Sequence, residues 1–224
     1  MTPVANSSLI NLAALEKTAV EPSPFPYAVI ADFIHSEHLD TLVNEFPAIA
    51  GRGSIPASSI EGTPAFRRLI AELEGPALRQ VIAEKFSIDL TGKPTMLTLR
   101  GYTTERDGII HTDSKSKLIT VLLYMNATWD AEHGKLRLLN SQDSLDDYFA
   151  EISPLAGNCL IFKVTANGWH GHYPFVGKRL SLQLNYLASD AALLKHANHH
   201  RLTAFFKRVF PKLFGNKSSH EENY

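Results

Sequence analysis

Between residues 94 and 187 the chain holds five short runs that suit β-strands, and no run there suits a crossover helix. They are 96–102 (MLTLRGY), 117–126 (KLITVLLYMN), 135–139 (KLRLL), 158–164 (NCLIFKV) and 178–187 (KRLSLQLNYL). A parallel neighbour needs a crossover of about a dozen residues, usually a helix, whereas antiparallel neighbours need only a turn. The pattern therefore predicts an antiparallel sandwich or barrel. The last run is the most restrictive. Arg179, Ser181, Gln183 and Asn185 alternate with Leu180, Leu182, Leu184 and Tyr186. At a period of two, one face of that strand meets an apolar core and the other a wet cavity.

The first ninety residues read differently. Residues 1–22 mix Ser, Ala, Asn and Pro, and Pro22, Pro24 and Pro26 resist helix and ladder alike, so a flexible leader is expected. Residues 27–34 (YAVIADFI) suit a strand. Ser36 is expected as the N-cap of a helix carrying Leu39, Leu42, Val43 and Phe46 at helical spacing. Residues 48–62 are expected as loop. Thr63-Pro64 opens a second helix with proline at its tolerated first position, and Gly75-Pro76 restarts a third, with the helical block ending near Leu90. The class is α+β: helical support over 36–90, a strand core over 94–187, all in one domain spanning 23–189, followed by a tail over 190–224. That tail is basic and aromatic. From Lys195 to Lys217 it carries six Lys/Arg and no Asp/Glu, interleaved with Phe205, Phe206, Phe210 and Phe214. A peripheral membrane or protein contact through 195–217, or a fold back onto the domain, are its two readings.

Charge narrows the partners. With 22 Lys+Arg against 23 Asp+Glu the net charge is -1, which gives no reason to expect nucleic acid. One cysteine, Cys159, excludes an intrachain disulfide and suits a reducing compartment. The start lacks a basic, apolar secretory pattern, and no run approaches a membrane span. A cytoplasmic location is the expectation, and the sequon Asn126-Ala127-Thr128 should then go unused.

His111-Thr112-Asp113 is the first triplet with chemical content. In extended backbone, residues i and i+2 point the same way, so an imidazole and a carboxylate would share one target. A later histidine from Trp169-His170-Gly171-His172 could complete two imidazoles and a carboxylate. That set suits Fe(II) with open positions, and zinc is not excluded by spacing. Arg179, nine residues beyond His170, could hold an anionic co-substrate through its two-pronged guanidinium.

In these residues the chain resembles the Fe(II)/2-oxoglutarate-dependent dioxygenases, in particular the prolyl-4-hydroxylase-like group. The resemblance covers roughly 95–187, through Tyr102, His111/Asp113, Tyr124-Met125-Asn126, Gly134-Lys135-Leu136, His170 and Arg179-Leu180-Ser181; residues 24–47 are more weakly alike. It implies a double-stranded β-helix, or jelly roll, and a hydroxylase releasing succinate and CO2. His111, Asp113 and His170 would hold Fe(II). Arg179, Ser181, Tyr124 and Tyr102 would bind 2-oxoglutarate, with ascorbate as reductant and molecular oxygen and an unidentified substrate as partners. No residue beyond the metal ligands is assigned to catalysis.

His172 competes with His170 as distal ligand. The resemblance favours His170, because the family's distal histidine stands nine residues before its basic clamp, as His170 does before Arg179, and within a Trp-His-Gly wording. The turn departs from the family where a first glycine is usual and His133 stands instead. A non-catalytic, cupin-like metal-binding module is the alternative. Arg100, Arg106, Lys115, Lys117 and Arg137 fall near the mouth and read as solvated charge or as contacts for an acidic substrate. Cys159 reads as a small buried hydrophobe.

Overall fold

In a computed structural model, residues 7–49 and 53–196 are described. Their elements in order are α1 (Leu12–Lys17), β1 (Tyr27–Ile30), α2 (Ser36–Asn44), β2 (Ile55–Pro56), α3 (Pro64–Leu73), α4 (Pro76–Lys85), β3 (Thr95–Thr103), β4 (Lys117–Tyr124), β5 (Leu136–Leu139), β6 (Tyr148–Ile152), β7 (Cys159–Lys163), β8 (His170–Gly171) and β9 (Gly177–Leu187). Residues 190–196 are helical. Two sheets form, one in the order β1-β7-β4-β9-β3-β2 and one in the order β6-β5-β8, and every pairing within them is antiparallel. The α+β jelly roll is the observed fold.

The large sheet buries both faces, each against a different layer. Ile119, Val121 and Leu123 of β4 and Leu180, Leu182, Leu184 and Tyr186 of β9 join a core with Leu15, Leu69, Leu73, Leu78 and Ile82 from the helices. The other face meets the small sheet: Tyr124, Leu160 and Phe162 pack with Leu136, Leu138, Ile152 and Phe25. Strand alternation produces this division, since neighbouring residues of β4 and β7 serve opposite cores. A single strand thus carries a helix-facing apolar row and an inner row. On β9 that inner row is Arg179, Ser181, Gln183 and Asn185, polar as anticipated, and largely buried because the small sheet covers it.

Four expectations need correction. The leader is not loose throughout: Leu9, Ile10 and Leu15 are buried, Asn11 caps α1 through Ala14 N, and Glu72 accepts from the amides of Leu9 and Ile10. The apolar trio outweighed the polar composition around it. Ser36 is the first residue of α2, and His35 is the cap, with no side-chain bond. β2 falls in the stretch expected as loop, paired to β3 at Ile55↔Leu99. β6 lies outside the five runs expected as strands; it is only half-buried and shows no clean alternation, so its pairing with β5 decides it. α3 and α4 begin where expected, at Thr63-Pro64 and Gly75-Pro76, with Thr63 Oγ1 accepting from Phe66 N. The basic segment 197–217 lies outside the described residues. No helix among the described residues is long and apolar enough to cross a membrane.

Candidate active site at the open end of the jelly roll

His111 and His170 are brought together by backbone. Each donates its amide N–H to the other's carbonyl at 3.0 Å, a single antiparallel bridge that ties the loop after β3 to β8. Gly108 permits the approach: at φ +92° it sits so close that a Cβ there would stand 2.2 Å from the His172 carbonyl oxygen. The His111 Nδ1 lies 2.8 Å from Ile109 O and the His170 Nδ1 lies 2.9 Å from Gly168 O. Donation to a carbonyl puts the proton on Nδ1 and leaves Nε2 with a free lone pair.

Asp113 completes the group, for the donor atoms of His111, Asp113 and His170 all lie within 4.8 Å of one another. Burial pushes the Asp113 carboxyl up. The Lys117 ammonium, then His170, and hydrogen bonds from Lys117 and Thr120 outweigh it and hold the group below the ordinary carboxylate range. Burial, reinforced by the neighbouring His111, pushes His170 down to about 4. Two neutral imidazoles and a carboxylate at one point are the donor set for which Fe(II) with open positions is suited. The residues present fit that metal.

The group lines one wall of a cavity shared with Thr98, Arg100, Thr120, His172, Arg179, Ser181 and Gln183. Arg179 is buried, its Nε donating to Gly134 O at 2.8 Å and its Nη2 to the Tyr124 hydroxyl at 3.4 Å. Gly134, at φ +84° and with its Cβ position 2.7 Å from the Trp129 ring, turns that carbonyl toward the guanidinium. His133, standing for the usual first glycine, uses its carbonyl to accept from Trp129 Nε1 and stacks its ring near Tyr173. Tyr124 is fully buried beneath Arg179, where burial raises its pKa, and so steadies the guanidinium.

Of the remaining candidates, Ser181 lies in the cavity wall and Tyr102 does not; Tyr102 is 41% exposed on β3, past an irregularity in its register with β9. His172 is in the wall but outside the donor group. Its Nδ1 lies 2.8 Å from Tyr173 O, and burial, with Arg179 next, pushes it down to about 4. Lys117 is no mouth residue, being paired with Asp113 at 2.6 Å. Arg100 does line the cavity and pairs with Asp107 at 3.2 Å, while Arg137 packs over the Tyr148 and Tyr173 rings. Gln183, placed on the cavity face by the β9 alternation, does line the cavity. Thr98 and Thr120 went unnoticed as site residues; they sit in strands whose inner and outer rows are both buried.

Residues 98–187 match the 2OG-Fe(II) oxygenase superfamily. No curated protein matches the chain in sequence. Among solved structures it is similar to a prolyl-4-hydroxylase from Pseudomonas putida, 19% identical, with a TM-score of 0.54 over 73% of this chain and 92% of that one. It is also similar to the viral collagen prolyl hydroxylase of Paramecium Bursaria Chlorella virus-1 in a 2OG complex (15% identical, TM-score 0.51, 73% of this chain and 96% of that one). A prolyl hydroxylase from Trichoplax adhaerens, in complex with a hypoxia inducible factor oxygen degradation domain peptide fragment, is 18% identical with a TM-score of 0.51 over 75% and 86%. At such identities the likeness is one of fold. The match to the 2OG-Fe(II) oxygenase superfamily spans residues 98–187, the part of the chain that holds the donor group and Arg179, and the jelly roll that carries it is the fold shared with those structures.

Proposed function

We propose that this oxygenase hydroxylates a protein side chain or small molecule, with 2-oxoglutarate as co-substrate and ascorbate as reductant. The observation that carries the proposal is the convergence of His111, Asp113 and His170 on one wall of the cavity that also holds Arg179. Fe(II), held by those three side chains, would supply the chemistry that couples decarboxylation of 2-oxoglutarate to succinate and CO2 with hydroxylation of a substrate. The protein's own part is to bind, orient and shield. Arg179 offers a carboxylate a buried, two-pronged cation, steadied by Gly134 O and Tyr124, with Ser181 adding a hydroxyl. Leu122, Leu136 and Phe162 line the cavity beside these groups and limit water there. The peptide fragment bound by the Trichoplax enzyme supports a protein side chain as one substrate class. The single, buried cysteine supports a cytoplasmic setting.

The test is succinate formation from 2-oxoglutarate with Fe(II), ascorbate and oxygen, alongside direct 2-oxoglutarate binding. His170→Ala should abolish turnover, and His172→Ala should retain iron. Arg179→Met should weaken 2-oxoglutarate binding about 10- to 100-fold, since each charge-assisted hydrogen bond contributes about 1.5–3 kcal/mol. Folded, iron-loaded protein that neither binds 2-oxoglutarate nor forms succinate would refute the proposal and favour a non-catalytic metal-binding module.

A further inference from the structure

Asp113 is held by groups that are not themselves metal donors. Its Oδ1 accepts from Lys117 Nζ at 2.6 Å, and its Oδ2 accepts from the Thr120 hydroxyl at 2.5 Å. The Lys117 side chain is only 11% exposed, and a lysine so covered is rarely found without a charged partner. A threonine hydroxyl carries one proton. The charged oxygen at 2.5 Å takes it. The same hydroxyl lies 3.0 Å from Asn185 Oδ1, which also accepts from Gln183 Nε2 at 3.3 Å. Thr120 thus holds one carboxylate oxygen of Asp113 and Lys117 holds the other.

We propose that Lys117 and Thr120 are positioning residues for the metal centre, gripping the Asp113 carboxylate by both oxygens so that it meets a divalent cation in one fixed orientation. The proposal rests on the metal site described above and extends it to residues outside the donor group. Lys117 also carries a charge that repels a bound cation, an effect opposite in sign to the benefit of a fixed carboxylate. The opposed signs allow the two roles to be separated by experiment.

The probe is Mn(II) alone, titrated into metal-free, full-length protein, with free Mn(II) read by electron paramagnetic resonance. Thr120→Val should weaken Mn(II) about 10- to 100-fold, the usual cost of losing a group that orients a ligand. Thr120→Ser, which keeps the hydroxyl, should restore most of the affinity. Lys117→Met should weaken binding in the same direction and Lys117→Arg should recover it. Should Lys117→Met fail to fold, the Thr120 pair carries the test, because it removes one hydroxyl with shape retained. Unchanged affinity in Thr120→Val, or tighter binding in Lys117→Met, would overturn the proposal, the latter by leaving Lys117 only a counter-charge. His111→Ala separates this failure from a deeper one. Native protein that takes up no Mn(II), or a His111→Ala variant that binds it equally well, would overturn the metal site and this inference with it.

Discussion

Mild acid should destabilise the metal-free protein, through His170 and His172. Burial pushes each down to about 4 from an ordinary 6.5, with His111 adding to it at His170 and Arg179 at His172. A pKa lower in the folded state means that the unfolded chain binds more protons between about pH 4 and 6.5, so stability falls as pH drops through that window. Complete titration would cost about 3.4 kcal/mol per histidine at 1.36 kcal/mol per pKa unit. At pH 5.0 about 2 kcal/mol of each is already lost, or about 4 kcal/mol for the pair. Asp113, held below the ordinary carboxylate range, stabilises the fold above that range and adds its own loss only at lower pH. The assay is urea unfolding in chelator at pH 7.5 and 5.0. With a denaturant slope of about 2 kcal/mol/M the midpoint should fall by about 2 M. His172→Gln, which cannot titrate there, should remove about half of the drop. Equal midpoints at the two pH values, or a drop untouched by His172→Gln, would refute the reasoning.

Three further outcomes follow from the packing. Gly108→Ala should cost about 2 kcal/mol or more, because it adds a Cβ at φ +92° against a backbone oxygen; a melting temperature like that of the native protein would contradict it. Leu15→Ala should cost about 2–5 kcal/mol by chemical denaturation, since Leu15 is fully buried, whereas a loose N-terminal segment would show no effect. Cys159 is buried and its thiol is pushed well above the ordinary range, so it should resist a thiol reagent in native protein and react once unfolded; rapid native labelling would contradict its placement.

Local pattern carried most of the architecture. The alternation in β9 sorted its residues correctly into a core row and a cavity row, because side-chain direction in a strand depends only on parity. The proline-led starts of α3 and α4 were equally legible, since a proline at the first helical position acts through its own backbone. β6 and β2 were not, because their strand state depends on partners distant in sequence: β6 pairs with β5, and β2 with β3. Residues 7–17 misled for a related reason. Three apolar side chains among polar neighbours signal little until a helical layer stands ready to cover them.

The site divides along the same line. Residue type and order alone nominated His111, Asp113, Arg179 and the pair His170 and His172, because metal and carboxylate chemistry admits few side chains. Whether Tyr102 would face the cavity, which histidine would join the donor group, and what would grip Asp113 were beyond any local pattern. Those answers depend on a register irregularity between β3 and β9, on the backbone bridge from His111 to His170, and on Lys117 and Thr120 approaching one carboxylate from the start of β4. Each is a distance between backbones, and only the packed sheets set those distances.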